Sequence, residues 1–237
     1  MRIRVMGETA HRSVNYRTKA LPIWLLRRVL RNEQAKIYRR FAGSFPPQPS
    51  WRVLEVGTNG SLQEARDYFL HSLYPYPEQI TAAGLEEPDV FRGVFPRCPY
   101  VQVMRNASLP FDDQSFDLVF SNAVVEHVGS REQQHEFLNE ILRVGKRAFV
   151  TTPNRRHPIE FHTATPLFHY LPPRVYRPIY AAAGFEFFSK EENLNLLDAN
   201  EFLDLLPPEA RVRAELAFHR FLGMRSNLLL SIRASGE

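Results

Sequence analysis

Apolar residues recur at intervals of three, four and seven between Leu21 and Phe41, where Leu26, Leu30, Ile37 and Phe41 are joined by Val29. Arg27, Arg28, Arg31, Arg39 and Arg40 fall largely elsewhere, so the spacing predicts an amphipathic helix. Pro46, Pro47 and Pro49 cannot continue it, and Ser44 to Ser50 reads as a connector. Shorter apolar runs follow. Arg52 to Val56 is a candidate strand that stops at Gly57, and Leu62, Ala65, Phe69 and Leu73 then have helical spacing. Further strands are predicted at Ile80 to Leu85, Tyr100 to Met104, Phe116 to Ser121 and Arg147 to Thr152. A helix is predicted between Asn122 and Val144, with Phe137, Ile141 and Leu142 as its buried stripe. Parallel strands need crossovers of about a dozen residues or more, usually helical, so this alternation predicts an α/β fold: a mainly parallel sheet with helices on both faces.

After Pro153 the pattern changes. Pro158, Pro166, Pro172, Pro173 and Pro178 interleave with Phe161, Phe168, Tyr170, Tyr176 and Tyr180, a segment of short turns and helices able to lid a pocket. Asp198 is placed to cap a helix running to Leu205. Val212 to Phe218 and Asn227 to Arg233 then form an antiparallel pair on the sheet's edge. The expected organisation is a basic helical extension over residues 1–50 and one domain over 51–237, with residues 155–200 inserted as a lid over the acceptor.

The chain of 237 residues is 44% hydrophobic and 24% charged, near globular averages, and no apolar run approaches the roughly 18 residues of a membrane span. No secretory signal pattern follows Arg2 and Arg4, and Cys98 has no second cysteine to pair with, which together predict a cytoplasmic protein. The net charge of +4 is unevenly spread. Residues 1–50 hold eleven Lys or Arg against Glu8 and Glu33, a balance of +9 that leaves −5 for the remainder. Such an arm can rest on an anionic membrane face or on nucleic acid, or simply be a solvated helix face.

Ligands of open parallel sheets sit beyond the carboxyl ends of the strands. The first such end is Glu55-Val56-Gly57-Thr58-Asn59-Gly60, where glycines permit a sharp turn and close approach of a ligand to the backbone, although two glycines also suit a plain turn. The loop lacks the Lys-Ser/Thr ending of a phosphate loop and the full three-glycine dinucleotide fingerprint. Glu55 would repel a pyrophosphate and suits instead a cationic ammonium or sulfonium.

Val53 to Gly60 (VLEVGTNG), Ser108 to Asn122 (SLPFDDQSFDLVFSN) and the following Glu126-His127-Val128 resemble the motifs of the class I S-adenosylmethionine (SAM) dependent methyltransferases, in particular the group containing quinone-biosynthesis enzymes. The middle motif is the most specific, and the likeness covers about Arg52 to Asn154. The resemblance implies a Rossmann-like sheet of seven strands and SAM as cofactor. It also implies that Glu55, Gly57, Thr58, Asn59 and Gly60 line the methionine part, that Asn106 and Ala107 flank the adenine, and that Ser121 and Asn122 border the sulfonium. Asn59 and Ser61 stand where glycines are common. Gly84 aligns with the usual ribose-binding acid, which leaves Glu86 or Glu87 as substitutes, and Asn106 replaces an Asp whose role its carbonyl oxygen can take.

Methyl transfer from a sulfonium is an in-line displacement, so the protein aligns the acceptor and, for a hydroxyl, removes a proton. Candidate catalytic residues are His127, after the fourth strand, and the Glu160-Phe161-His162 pair beyond the fifth, whose acid and imidazole share one side if the segment is extended. His157 and His169 read as surface or packing residues. No metal site is expected, because there is no second thiol and no compact ligand spacing. The expected activity is O-methylation of a small or lipid-linked acceptor, with the Ile23-Trp24-Leu25 stretch before Arg27 and Arg28 as a possible membrane contact. RNA methylation and non-catalytic SAM binding are the alternatives, the first disfavoured by the acidic body.

Overall fold

The structure, a computed structural model, describes residues 23–62 and 64–237, and side chains from residue 28 onward. The basic stretch before residue 23, Leu26, Arg27 and the Ile23-Trp24-Leu25 membrane contact therefore lie outside the described residues and side chains. Nine strands are described: β1 (Val53–Val56), β2 (Ile80–Gly84), β3 (Tyr100–Gln102), β4 (Leu118–Asn122), β5 (Ala148–Pro153), β6 (Ile159–Glu160), β7 (Thr165–Pro166), β8 (Ala214–Phe221) and β9 (Met224–Ile232). The helices are α1 (Ile23–Ser44), α2 (Phe69–Leu73), α3 (Asp89–Val94), α4 (Arg131–Val144), α5 (Pro173–Ala182), α6 (Glu186–Ser189), α7 (Ala199–Asp204) and α8 (Pro208–Arg211).

Seven strands form one sheet in the order β3-β2-β1-β4-β5-β9-β8, and β6 and β7 make a separate hairpin. The pairs from β3 through β5 are parallel, whereas β9 runs antiparallel to β5 and β8. This is the α/β arrangement expected, with the C-terminal pair at the edge. The chain order reverses between β1 and β4, and Val56 stands level with both Ala83 and Ser121, so three carboxyl ends open into one crevice.

Alternation along the strands divides the core between two faces. Leu54, Val119 and Val150 pack with Leu138, Ile141 and Val144 of α4 and with Phe202 and Leu205. Val53, Leu118, Phe120 and Phe149 face Ile37, Phe41 and Phe45 at the end of α1, and Phe69 and Leu70 of α2. The second half of α1 thus belongs to the core even though it precedes the expected domain boundary. Leu30, assigned to the buried stripe, is exposed, and the burial begins only at Ile37. Among the described residues no helix is long and apolar enough to cross a membrane.

Two helices depart from expectation. Residues 62–73 form a single turn, Ala65–Asp67, followed by α2, because Tyr68 between them is extended (φ −84°, ψ 106°). Burial there falls on the consecutive Tyr68, Phe69, Leu70 and His71, while Leu73 is exposed. The segment expected as a helix from Asn122 likewise holds a short turn, Val125–His127, before α4 begins. Ser130 caps α4 reciprocally with Gln133, and its fully buried residues are Gln134, Leu138, Ile141 and Val144, with Phe137 and Leu142 only partly covered.

Asp198 caps α7 as expected, accepting from the backbone N–H groups of Asn200 and Glu201, and also pairs with Arg156 at 2.9 Å. Asp198→Ala is expected to lower stability by about 1–2 kcal/mol, read as a shifted midpoint in urea with an unchanged slope. A change below about 0.3 kcal/mol would show that the cap is redundant.

Candidate active site

A cavity of about 630 Å³ occupies the crevice, within the range of small-molecule sites. Its walls come from the loop after β1, the ends of β2 and β3, the turn after β4, and the 155–200 segment. Among the residues expected to bind cofactor, Gly57, Thr58, Asn59, Glu86, Asn106 and Ala107 line it. Glu55, Gly60, Ser121 and Asn122 stand behind the wall.

The loop after β1 is held by its own backbone and by two acids. The N–H groups of Gly57 and Thr58 both donate to the Ala83 carbonyl, at 2.8 and 3.0 Å. Gly57 has φ +92°, and a Cβ there would come within 2.2 Å of Val124 Cγ2, so glycine is required on both counts. Glu55 turns away from the cavity. Its carboxylate accepts from Thr58 Oγ1 at 3.1 Å and lies 2.8 Å from His71 Nδ1, a close approach in which the ring is not aligned as a hydrogen-bond donor. Asn59 Oδ1 accepts from both the N–H and the hydroxyl of Ser61, so an Asx turn does here what additional glycines do elsewhere.

Gly84 has no room for a side chain: a Cβ would stand 2.1 Å from the Thr58 carbonyl oxygen and 2.3 Å from Tyr100 Oη. An acid at the end of β2 is therefore excluded, and the carboxylate facing the cavity is that of Glu86, which accepts from the Gly60 N–H at 3.3 Å. Glu87 instead meets the Gln102 amide and is absent from the wall. Gly84→Asp, which would restore an acid at this position, is expected to weaken S-adenosylhomocysteine binding at least about tenfold by parting β2 from the Thr58 loop. Calorimetry showing equal or tighter binding would contradict the packing described.

Asn106 adopts a left-handed conformation (φ 58°), which asparagine tolerates, and with Ala107 forms the floor near β3. Ser121 is fully buried, and Asn122 Oδ1 accepts from Thr151 Oγ1 at 2.7 Å. At that side the cavity meets Ala123 and Val124. The donor set fits a cationic nucleoside: a carboxylate, amide groups and apolar surface line the nucleoside end. Arg105, which is also in the wall, donates to Glu192 O and Asn193 Oδ1 at 3.0 and 3.3 Å.

The other end is polar. Glu160, in β6, is buried and accepts at Oε1 from the His162 backbone N–H (2.9 Å) and from His162 Nδ1 (2.6 Å), and at Oε2 from the Thr163 N–H and hydroxyl, both at 2.7 Å. Burial alone would raise its pKa, but these donors outweigh it and hold the carboxyl down at about 2. His162 Nε2 is 3.1 Å from His127 Nε2, and His127 Nδ1 is 2.6 Å from the Asn193 carbonyl oxygen. Burial opposes charge on both rings. On His162 the Glu160 carboxylate overcomes it and the pKa is raised, whereas on His127 burial prevails over Glu126 and the pKa is lowered. Both imidazoles line the cavity, and all three expected catalytic residues are brought together. His157 and His169 are buried and bonded to backbone carbonyls, as packing residues are.

Residues 58–148 match the family model for a methyltransferase domain. The matched stretch is a methyltransferase domain, set in the seven-stranded fold and crevice already described. Comparison with curated proteins finds no match. Among solved structures the chain is similar to a SAM-dependent methyltransferase from Thermotoga maritima (TM-score 0.53, 14% identity, covering 89% of this chain and 92% of that one). It is also similar to geranyl diphosphate C-methyltransferase from Streptomyces coelicolor A3(2), solved with Mg2+, geranyl diphosphate and S-adenosyl-L-homocysteine (TM-score 0.53, 12% identity, 89% and 83%). These likenesses are of fold. The matched region runs from Thr58 to Ala148, so the methyltransferase family model covers the end of the glycine loop and β4 but leaves Glu55 and Gly57, and His162, Asn193 and the rest of the 155–200 segment, to this chain's own geometry. Sequence reading does not assign roles to Glu126, Val124, Asn193 or Phe188, although Glu126 lies in a motif it quotes.

Proposed function

We propose that this methyltransferase transfers the methyl group of SAM to an oxygen of a small or lipid-linked acceptor held at the His127 and His162 end of the cavity. SAM supplies an electrophilic methyl group on a sulfonium whose departure as a neutral thioether drives the transfer. The protein's share is placement and charge. Gly57, Thr58, Asn59 and Gly60 would shape the site for the methionine part, with Glu55 supporting the loop from behind. Glu86 would accept from the ribose hydroxyls, Asn106 and Ala107 would flank the adenine, and Ala123 and Val124, backed by Ser121 and Asn122, would border the sulfonium.

The observation that carries the reading is the line Glu160–His162–His127, which ends in the cavity. The two imidazoles have pKa values driven apart: burial favours the neutral ring of His127, able to take a proton, while the buried Glu160 beside His162 favours its charged form, at the point where an acceptor hydroxyl must lose its proton. They would assist that loss together, drawing the acceptor in as its anion.

A lipid-linked acceptor draws support from the 155–200 segment, proposed as the lid. Leu167, Phe168, Leu171, Val175 and Ile179 are exposed on it, and Phe187 is both exposed and in the cavity wall. Apolar side chains leading to a site offer a path from a membrane surface. Calorimetry with SAM and S-adenosylhomocysteine tests the cofactor, and a mass-shift screen of hydroxylated metabolites with labelled SAM tests the acceptor. Binding of neither nucleoside would sink the proposal; a labelled carbon or nitrogen product would replace oxygen as the target. Vesicle association that survives Phe168→Ser with Phe187→Ser would remove the membrane path.

A further inference from the structure

The hydrogen bonds around the two imidazoles fix where their hydrogens are. The Asn193 carbonyl oxygen can only accept, so His127 Nδ1 carries a hydrogen and Nε2 presents its lone pair. The anionic Glu160 carboxylate likewise can only accept, so His162 Nδ1 carries a hydrogen and Nε2 of the neutral ring is bare. With His162 neutral, the form a metal ion would select, the two bare nitrogens face one another at 3.1 Å. Glu126 brings a third acceptor to the same point. Its Oε2 accepts from Thr152 Oγ1 at 2.9 Å, but Oε1 is fully buried, has no hydrogen-bond partner and lies 3.8 Å from His127 Nε2. Among the described residues, Glu126, His127 and His162 each offer a ligand atom within 4.8 Å of the others.

Three converging acceptors, one of them a buried carboxylate oxygen, require positive charge between them. A single proton can bridge the two nitrogens, but it leaves the Glu126 oxygen buried and unbonded, which is unfavourable. A metal ion satisfies all three. Bonds of about 2.0–2.2 Å to nitrogen and oxygen set neighbouring ligand atoms of one tetrahedral ion about 3.3 Å apart. Two of the three separations, 3.1 and 3.8 Å, bracket that spacing, and the third lies within 4.8 Å. The outer contacts are those of a metal site: a carboxylate behind His162, a backbone carbonyl behind His127, and a hydroxyl on the second oxygen of Glu126.

We infer that Glu126, His127 and His162 bind a divalent transition-metal ion of the zinc class, with its open coordination positions facing the cavity. Two imidazoles and one carboxylate select Zn2+, Fe2+ or Co2+ over Mg2+ and Ca2+, which prefer oxygen alone. Thiols are not needed, and compact spacing is replaced by the fold, which brings His162 across 35 residues to His127. The ion site stands independently of the acceptor; only the further step, that an acceptor oxygen completes the coordination from the cavity, rests on the function proposed above.

The test uses full-length, tag-free protein stripped with a chelator. Calorimetric titration with Zn2+ is expected to show one equivalent bound, and Co2+ to give visible ligand-field bands displaced by Zn2+. Glu126→Gln and His162→Gln should each weaken Zn2+ binding by more than about 100-fold, and Glu160→Gln by about 10–100-fold. Circular dichroism of the stripped variants checks that they fold, and S-adenosylhomocysteine is titrated into the same samples. Wild-type protein that binds S-adenosylhomocysteine but neither metal would overturn the ion site, as would wild-type Zn2+ affinity in both Gln variants at 126 and 162. Zn2+ binding lost in those variants supports it even if the nucleoside fails to bind, an outcome that counts against the methyltransferase reading instead.

Discussion

His162→Ala is expected to lower kcat by about 10²–10⁴-fold on the acceptor found with labelled SAM, while the affinity for S-adenosylhomocysteine stays within about threefold. The separation of the two effects follows from position. His162 reaches the cavity from the 155–200 segment, 4.8 Å ring to ring from His127, whereas the loop after β1, Glu86 and Asn106 hold the opposite end. Removing the imidazole deletes the bridge between Glu160 and His127, so the corner loses both a nitrogen and the group through which a buried anion acts on it. His127→Ala should fall in the same range, and the double variant should cost little more than either single one, because the rings act as a unit. A His162→Ala enzyme with full kcat would show that alignment alone carries the transfer. A rise in the Kd for S-adenosylhomocysteine as large as the fall in kcat would show instead that the change disturbs the whole crevice.

Phe41→Ala is expected to destabilise the protein by about 3–5 kcal/mol and to lower Tm by roughly 6–20 °C. Phe41 is 0% exposed, and its ring meets those of Phe120 and Phe149 edge-on at 5.1 and 5.3 Å, with Tyr74 at 6.3 Å. The ring closes the face of the sheet over β4 and β5, so its removal leaves a void lined by aromatic side chains already packed against one another. Phe41→Leu retains much of the volume and should cost less than half as much. A loss under about 1 kcal/mol in chemical denaturation would mean that α1 is an appendage to the sheet, as expected of residues before 51, and not part of its core.

The strands are legible because both faces of the sheet are covered, so β4 and β5 read as nearly unbroken apolar runs bounded by polar turns. The helix at residues 62–73 is not legible. Leu62, Ala65, Phe69 and Leu73 imitate one helical stripe, but the chain straightens at Tyr68, which is buried with β2, α3 and β3, while Phe69 and Leu70 are buried with α1, β1 and β4. Periodicity cannot report burial from several sides at once. The cofactor end of the cavity is legible through its glycines and motifs, since those residues are neighbours in sequence. Glu86 and Glu87 are legible as stand-ins for an acid at Gly84, but the reason none fits there is not, because only the packing of Thr58 and Tyr100 excludes a side chain. The polar corner is legible as separate candidates only. His127 meets His162 across 35 residues and Asn193 across 66, and no local pattern announces contacts at such distances.

Two of the hydrogen bonds of Asn193 join the two ends of the cavity. Its backbone oxygen accepts from the His127 ring, and its side-chain oxygen accepts from Arg105, which lies beside the proposed adenine-flanking residues. An acceptor that shifts His127 therefore pulls on the wall of the nucleoside end, and a nucleoside that orders Arg105 presets the imidazole. On the proposed binding mode the two binding events are expected to be coupled, and thermodynamic linkage would make the coupling symmetrical: the factor by which bound nucleoside tightens the acceptor equals the factor by which acceptor tightens the nucleoside. Shortening this residue in Asn193→Ala keeps the backbone oxygen and the Arg105 bond to the Glu192 carbonyl but removes the side-chain bonds to Arg105 and the Phe187 carbonyl, so the cooperativity between the two ligands should fall while each still binds alone.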